Sequence, residues 1–118
     1  MRQWAVPYGW ALVLTLVIEV PLTVLLLARR DGRDRTVATT ALLANVTSHP
    51  VLWFLLLPAL DAVLPWVLAL VVAELAVVVY EAGLLRRLAG TWSRAVAVAL
   101  ATNAASVAAG LFVTAARR

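Results

Sequence analysis

The sequence predicts an all-α integral membrane protein, four transmembrane helices in an antiparallel bundle, arranged as either four independent spans or two repeated helical hairpins. Three observations lead there. Hydrophobic residues make up 64% of the 118 positions and charged ones only 14%, whereas a soluble domain is nearer ~45–50% apolar. Four apolar stretches reach the roughly 20 residues needed to cross a hydrocarbon core. The basic residues, all of them arginine, gather between those stretches, which is the pattern of membrane flanks and not of a nucleic-acid footprint.

The first span runs from about Tyr8 to Ala28 and is too long, and too acidic at Glu19, for a cleaved signal peptide. The second runs from Val37 to Pro58, the third from Ala62 to Leu85 and the fourth from Ala95 to Ala115. Only short turns join them, so residues 1–118 form a single domain. Arg29, Arg30, Arg33, Arg35, Arg86, Arg87 and Arg94 fall on one side of the membrane, against Arg2, Arg117 and Arg118 on the other. Positive loops stay inside, so a multi-pass cell-membrane protein with both termini outside the cytoplasm is expected. An Ala/Val/Leu/Arg vocabulary without lysine suggests a bacterial source.

Polar residues inside the spans are the candidates for function. With 1.5 Å of rise per residue, Glu19 and Glu74 lie about 15 and 18 Å from the arginine-rich ends of their helices, and Asn45, His49, Asn103 and Ser106 fall at similar depth. An acid at that depth costs at least ~2.5–3.5 kcal/mol, so both glutamates should face the bundle interior. There they would resist ionising together, which favours a shared proton, with His49 as its partner. Asn45 and Asn103 would orient them. Ser48 and Ser106 are expected mainly as interhelical hydrogen-bond donors. Glu81, two turns beyond Glu74, is expected to reach toward the interface or an arginine.

Pro21 and Pro50 should free the carbonyls of Val17 and Val46, adding oxygen ligands to the same layer. On the fourth span Ala99, Asn103, Ser106 and Gly110 make one small and polar stripe, and Ala97, Ala101, Ala105 and Ala109 a second. That helix should therefore be buried on two sides. The order Glu19, Arg29-Arg30, Asn45-x-x-Ser48 recurs as Glu74, Arg86-Arg87, Asn103-x-x-Ser106, with Glu-to-Asn separations of 26 and 29 residues. This suggests an internal repeat about an axis along the membrane normal.

The leading functional expectation is binding or transport of a proton, a metal cation or a small cationic solute, by a homo-oligomer or a subunit of a membrane complex. Glu19, His49 and Glu74 are the set that would hold a divalent metal ion. An intramembrane enzyme acting on a lipid or isoprenoid is the second expectation and a structural subunit the third. Four spans with a membrane-embedded acid in the first resemble the small multidrug-resistance transporters. Glu74, Glu81, His49 and the arginine asymmetry depart from that pattern, and the chain is not assigned to the family. No HExxH, phosphate loop or Gly-x-Ser-x-Gly motif is present, and there is no cysteine, which removes soluble-type catalysis and thiolate chemistry.

Overall fold

Hydrocarbon offers a backbone no hydrogen-bond partners, so a chain within it must satisfy its own N–H and C=O groups. The computed structural model describes residues 8–27 and 34–116, and these are helical nearly throughout. In chain order they form α1 (Tyr8–Leu27), α2 (Asp34–Val51), a wide π-helical turn over Leu52–Leu56, α3 (Leu57–Asp61), α4 (Trp66–Ala89) and α5 (Trp92–Ala116). The π-helical turn joins α2 to α3 in one apolar unit of 28 residues. Four helical units, Gly9–Leu27, Asp34–Asp61, Trp66–Ala89 and Trp92–Val113, are thus long and apolar enough to cross a membrane. Of the arginines that set the expected orientation, Arg2, Arg29, Arg30, Arg33, Arg117 and Arg118 lie outside the described residues.

The second unit, Asp34–Asp61, and the start of the fourth at Trp92 reach three residues beyond the expected spans, and both boundaries of the third shift by four residues, each for a local reason. Apolarity alone starts the third span at Ala62, but Pro65 adopts φ −55° and ψ 146° and caps α4, so the helix begins at Trp66. The residues between are a turn, in which the Leu64 N–H donates to the Leu60 carbonyl at 2.8 Å. At its other end α4 runs past Leu85 through both arginines and stops at Gly90, whose φ of +91° no residue with a Cβ takes readily. Arg86 holds that turn, donating from Nη1 to the Gly90 carbonyl at 2.8 Å and lying 5.8 Å over the Trp92 ring.

Helix α1 packs against α2 and α5, and α4 packs against the same two. The units therefore close a ring in the order α1, α2, α4, α5, with α1 and α4 on one diagonal and α2 and α5 on the other. Overall dimensions are 44 × 29 × 18 Å. The long axis matches the ~40–45 Å of a bilayer with its headgroups, and the short one is about two helix diameters. Close approach rests on small residues: Ala41 and Ala44 of α2, Ala69, Ala73 and Ala82 of α4, and Ala95 and Ala99 of α5 are all buried. Val13, Val17, Val67, Leu68 and Phe112 point outward, presenting an apolar surface suited to lipid.

Helix α5 departs from expectation in one respect. Ala99 is fully buried, but Ala97 and Ala101 are exposed and Ala105 and Ala109 only half-buried. The second alanine stripe thus looks away from the bundle, and α5 is buried on one side. Its inward face runs Ala95, Val98, Ala99, Thr102 and Asn103, the four-residue rhythm of a helix meeting its neighbours along one seam.

A substitution pair tests this seam. Ala99→Leu is expected to destabilise the bundle by about 1–3 kcal/mol through overpacking, while Ala101→Leu changes stability by less than about 0.5 kcal/mol. Thermal unfolding of both variants in detergent measures the difference.

A candidate functional site in the bundle core

Building outward from α1, Thr15, Glu19 and Thr23 stand four residues apart and share a face. Glu19 is only 1% exposed. The Thr23 hydroxyl donates to the Glu19 main-chain carbonyl at 2.7 Å, and Thr15 Oγ1 lies 3.2 Å from His49 Nε2 on α2. One oxygen of the Glu19 carboxyl, Oε2, receives the Ser106 hydroxyl of α5 at 2.6 Å. The other, Oε1, is buried without a hydrogen-bond partner. Asn45 of α2 stands close enough to act on the Glu19 carboxyl, and one of its amide hydrogens goes to the Ala41 carbonyl at 2.9 Å.

Across the diagonal, α4 supplies Glu74 and Glu81. Glu81 is buried at 3% exposure, and both its oxygens are held. Asn103 of α5 donates to Oε1 at 2.6 Å and Ser48 of α2 donates to Oε2 at 3.3 Å. The second Asn103 amide hydrogen goes to the Ala99 carbonyl at 2.7 Å, the same backward bond that Asn45 makes to Ala41. The expectation that Glu81 reaches to the interface or an arginine is therefore overturned. It sits buried inside the bundle, because Asn103 and Ser48 give its carboxylate the donors that an interface would have supplied. The two serines likewise do more than join helices, since each binds a buried acid.

Glu74, two turns before Glu81 on α4, is half-buried. It lines a cavity of ≈ 250 Å³ together with Glu19, Asn45, Ser48, His49, Asn103 and Ser106. The cavity extends along the bundle to Trp53, Trp66, Ala11 and Leu111, and most of its wall is aliphatic or aromatic. No protein family model, curated protein or solved structure matches this chain. The meaning of the cavity therefore rests on its own chemistry.

The residues singled out in the sequence come together at this level, with Glu81 just behind the cavity wall. Glu19, Glu74 and Glu81 are close enough to feel one another's charge. Among the described residues, however, no three His, Asp or Glu side chains are grouped so as to hold a metal ion. The set Glu19, His49 and Glu74 is not drawn into a coordination sphere. His49 instead meets the Thr15 hydroxyl and lies 6.3 Å from the Trp53 ring, tilted by 35°. Nor do Val17 and Val46 contribute, since both residues point outward and neither lines the cavity.

Thr15, Trp53 and Trp66 were not anticipated as parts of the site. The spacing of Thr15, Glu19 and Thr23 at i and i+4 was the available signal for the first. For Trp53 and Trp66 nothing in the sequence spacing shows which way the rings point.

Asn103→Leu should leave Glu81 Oε1 without its donor and cost about 1–3 kcal/mol of stability. Thr47→Val, at an exposed hydroxyl, should cost well under about 1 kcal/mol. Thermal unfolding in detergent separates the two, and equal effects would contradict the buried network.

Proposed function

We propose that the chain binds a small organic cation in this cavity and moves it, or exchanges it for a proton, across a cell membrane. The observation that carries the reading is Glu19, a buried acid on the cavity wall whose Oε1 makes no hydrogen bond, with the Asn45 amide close by. A buried acceptor left unmatched costs roughly 1–3 kcal/mol, and a donor carrying positive charge compensates it best. Glu74 adds a second carboxylate to the same wall, and Trp53 and Trp66 offer aromatic faces for a cation. The aliphatic remainder suits a hydrocarbon tail, which favours an organic ammonium over a bare metal ion.

In this reading consecutive spans are antiparallel, the arginine-rich turns face the cytoplasm and both termini lie outside. The bilayer is the solvent of the outer surface, and the chain works as a homo-oligomer or as a subunit of a larger membrane assembly. Glu19 is the charge centre, Glu74 a second carboxylate on the same wall, and Asn45 and Asn103 hold the flanking polar groups in register.

The test is binding and uptake of benzylammonium by protein in proteoliposomes. Wild type should take it up saturably, and Glu19→Gln and Glu74→Gln should each weaken binding by about tenfold or more, equivalent to about 1.4 kcal/mol. Retention of full binding and uptake by both variants would remove the proposal.

A further inference from the structure

Glu81 is the buried titratable group that the cation site does not use, and its surroundings are unlike those of a passive packing residue. It does not line the cavity, but the two side chains that hold it, Ser48 and Asn103, both do. They hold it in different ways. The Asn103 amide can only donate from Nδ2, so its 2.6 Å bond to Oε1 stays a donor bond whatever the state of the acid. Ser48 is a rotor, donating to an ionised Oε2 or accepting from a protonated one across the same 3.3 Å. Glu81 is therefore satisfied with a proton and without one.

The titratable groups around it are Glu19 on α1, His49 beside Ser48 on α2 and Glu74 on its own helix, while α5 brings the neutral Asn103. Glu19 and Glu74 both feel the charge of Glu81. A cation arriving between them changes the balance that decides whether Glu81 keeps its proton.

We propose that Glu81 is a proton-binding site, filled and emptied through the Ser48 hydroxyl, and that its proton leaves when a cation occupies the cavity. The inference rests on the cavity reading above and adds the exchanged ion. The step balances: the O–H bond at Glu81 Oε2 breaks as an O–H bond forms at Ser48, and the proton that Ser48 carried passes to solvent. The carboxylate left behind provides the negative charge that the bound ammonium brings as positive. A cluster of acids alone would not establish this. Glu19, a residue only 1% exposed on the cavity wall whose Oε1 makes no hydrogen bond, is the separate sign that a cationic group is accepted at this level.

Infrared difference spectroscopy of the protein in nanodiscs tests the proposal through the C=O stretch of protonated carboxyl groups. Wild type should show a component that moves in heavy water and is lost on adding benzylammonium, and Glu81→Gln should lack that component. Ser48→Ala should keep it but slow its hydrogen-deuterium exchange on the order of a hundredfold, the low end of what one positioned proton-transfer group contributes. Identical carboxyl bands in wild type and Glu81→Gln would overturn the proton site. Bound benzylammonium that leaves the Glu81 component untouched would overturn the exchange. If benzylammonium fails to bind wild type, the cavity reading falls separately, and the comparison with Glu81→Gln still decides whether Glu81 holds a proton.

Discussion

The constraint on which this bundle turns is the cost of burying carboxyl groups among apolar helices, which must be met by donors from other helices. Glu19 of α1 is met by Ser106 of α5, and Glu81 of α4 by Asn103 of α5 and Ser48 of α2. Thr15 and His49 add a polar link between α1 and α2. Every neighbouring pair in the ring is thereby joined by at least one polar contact at mid-depth. The apolar interior of alanine, valine and leucine is permissive about rotation, because one small residue packs much like another. The polar links are not permissive. They fix how each helix is turned, and the same links collect the acids at one level.

The hydrogen bonds pair the polar residues of the two halves differently from their order along the sequence. Asn45 and Asn103 each bond back four residues along their own helices, and Ser48 and Ser106 each donate to an acid on the other hairpin. By that pattern the counterpart of Glu19 is Glu81, which is equally buried, and not Glu74. Matching by order along the chain selected Glu74 because it comes first and lies at the greater depth. Matching by bonding partner selects the acid that Asn103 and Ser48 serve, leaving Glu74 as the acid with no equivalent in the first hairpin.

The number and extent of the spans were legible because hydropathy is a property of composition over twenty or so residues, and no competing fold accommodates so little polarity. Depth was legible as well, since rise per residue is constant, and it brought Glu19, Asn45, His49, Glu74 and Asn103 to one layer. Rotation was not. Whether Glu81 turns inward, whether Ala97 and Ala101 pack or face out, and where Trp53 and Trp66 point all depend on neighbours that a single helix does not specify. The ends were governed by single residues, Pro65 and Gly90, whose backbone preferences override an apolar run.

At the other extreme of the bundle, the Arg94 guanidinium reaches the carbonyl of Leu26 at 3.2 Å and that of Ala89 at 3.4 Å, so one side chain of α5 grips the last turns of both α1 and α4. The far end is shaped by the local turn from Pro58 to Pro65. Helices pinned together at one extremity act as levers about that pin. A tilt of a few degrees, negligible beside Arg94, grows with distance along a body 44 Å long and is greatest around Trp66. The Trp66 end of the cavity thus sits where angular play yields the most travel, while Glu81 lies closer to the fulcrum.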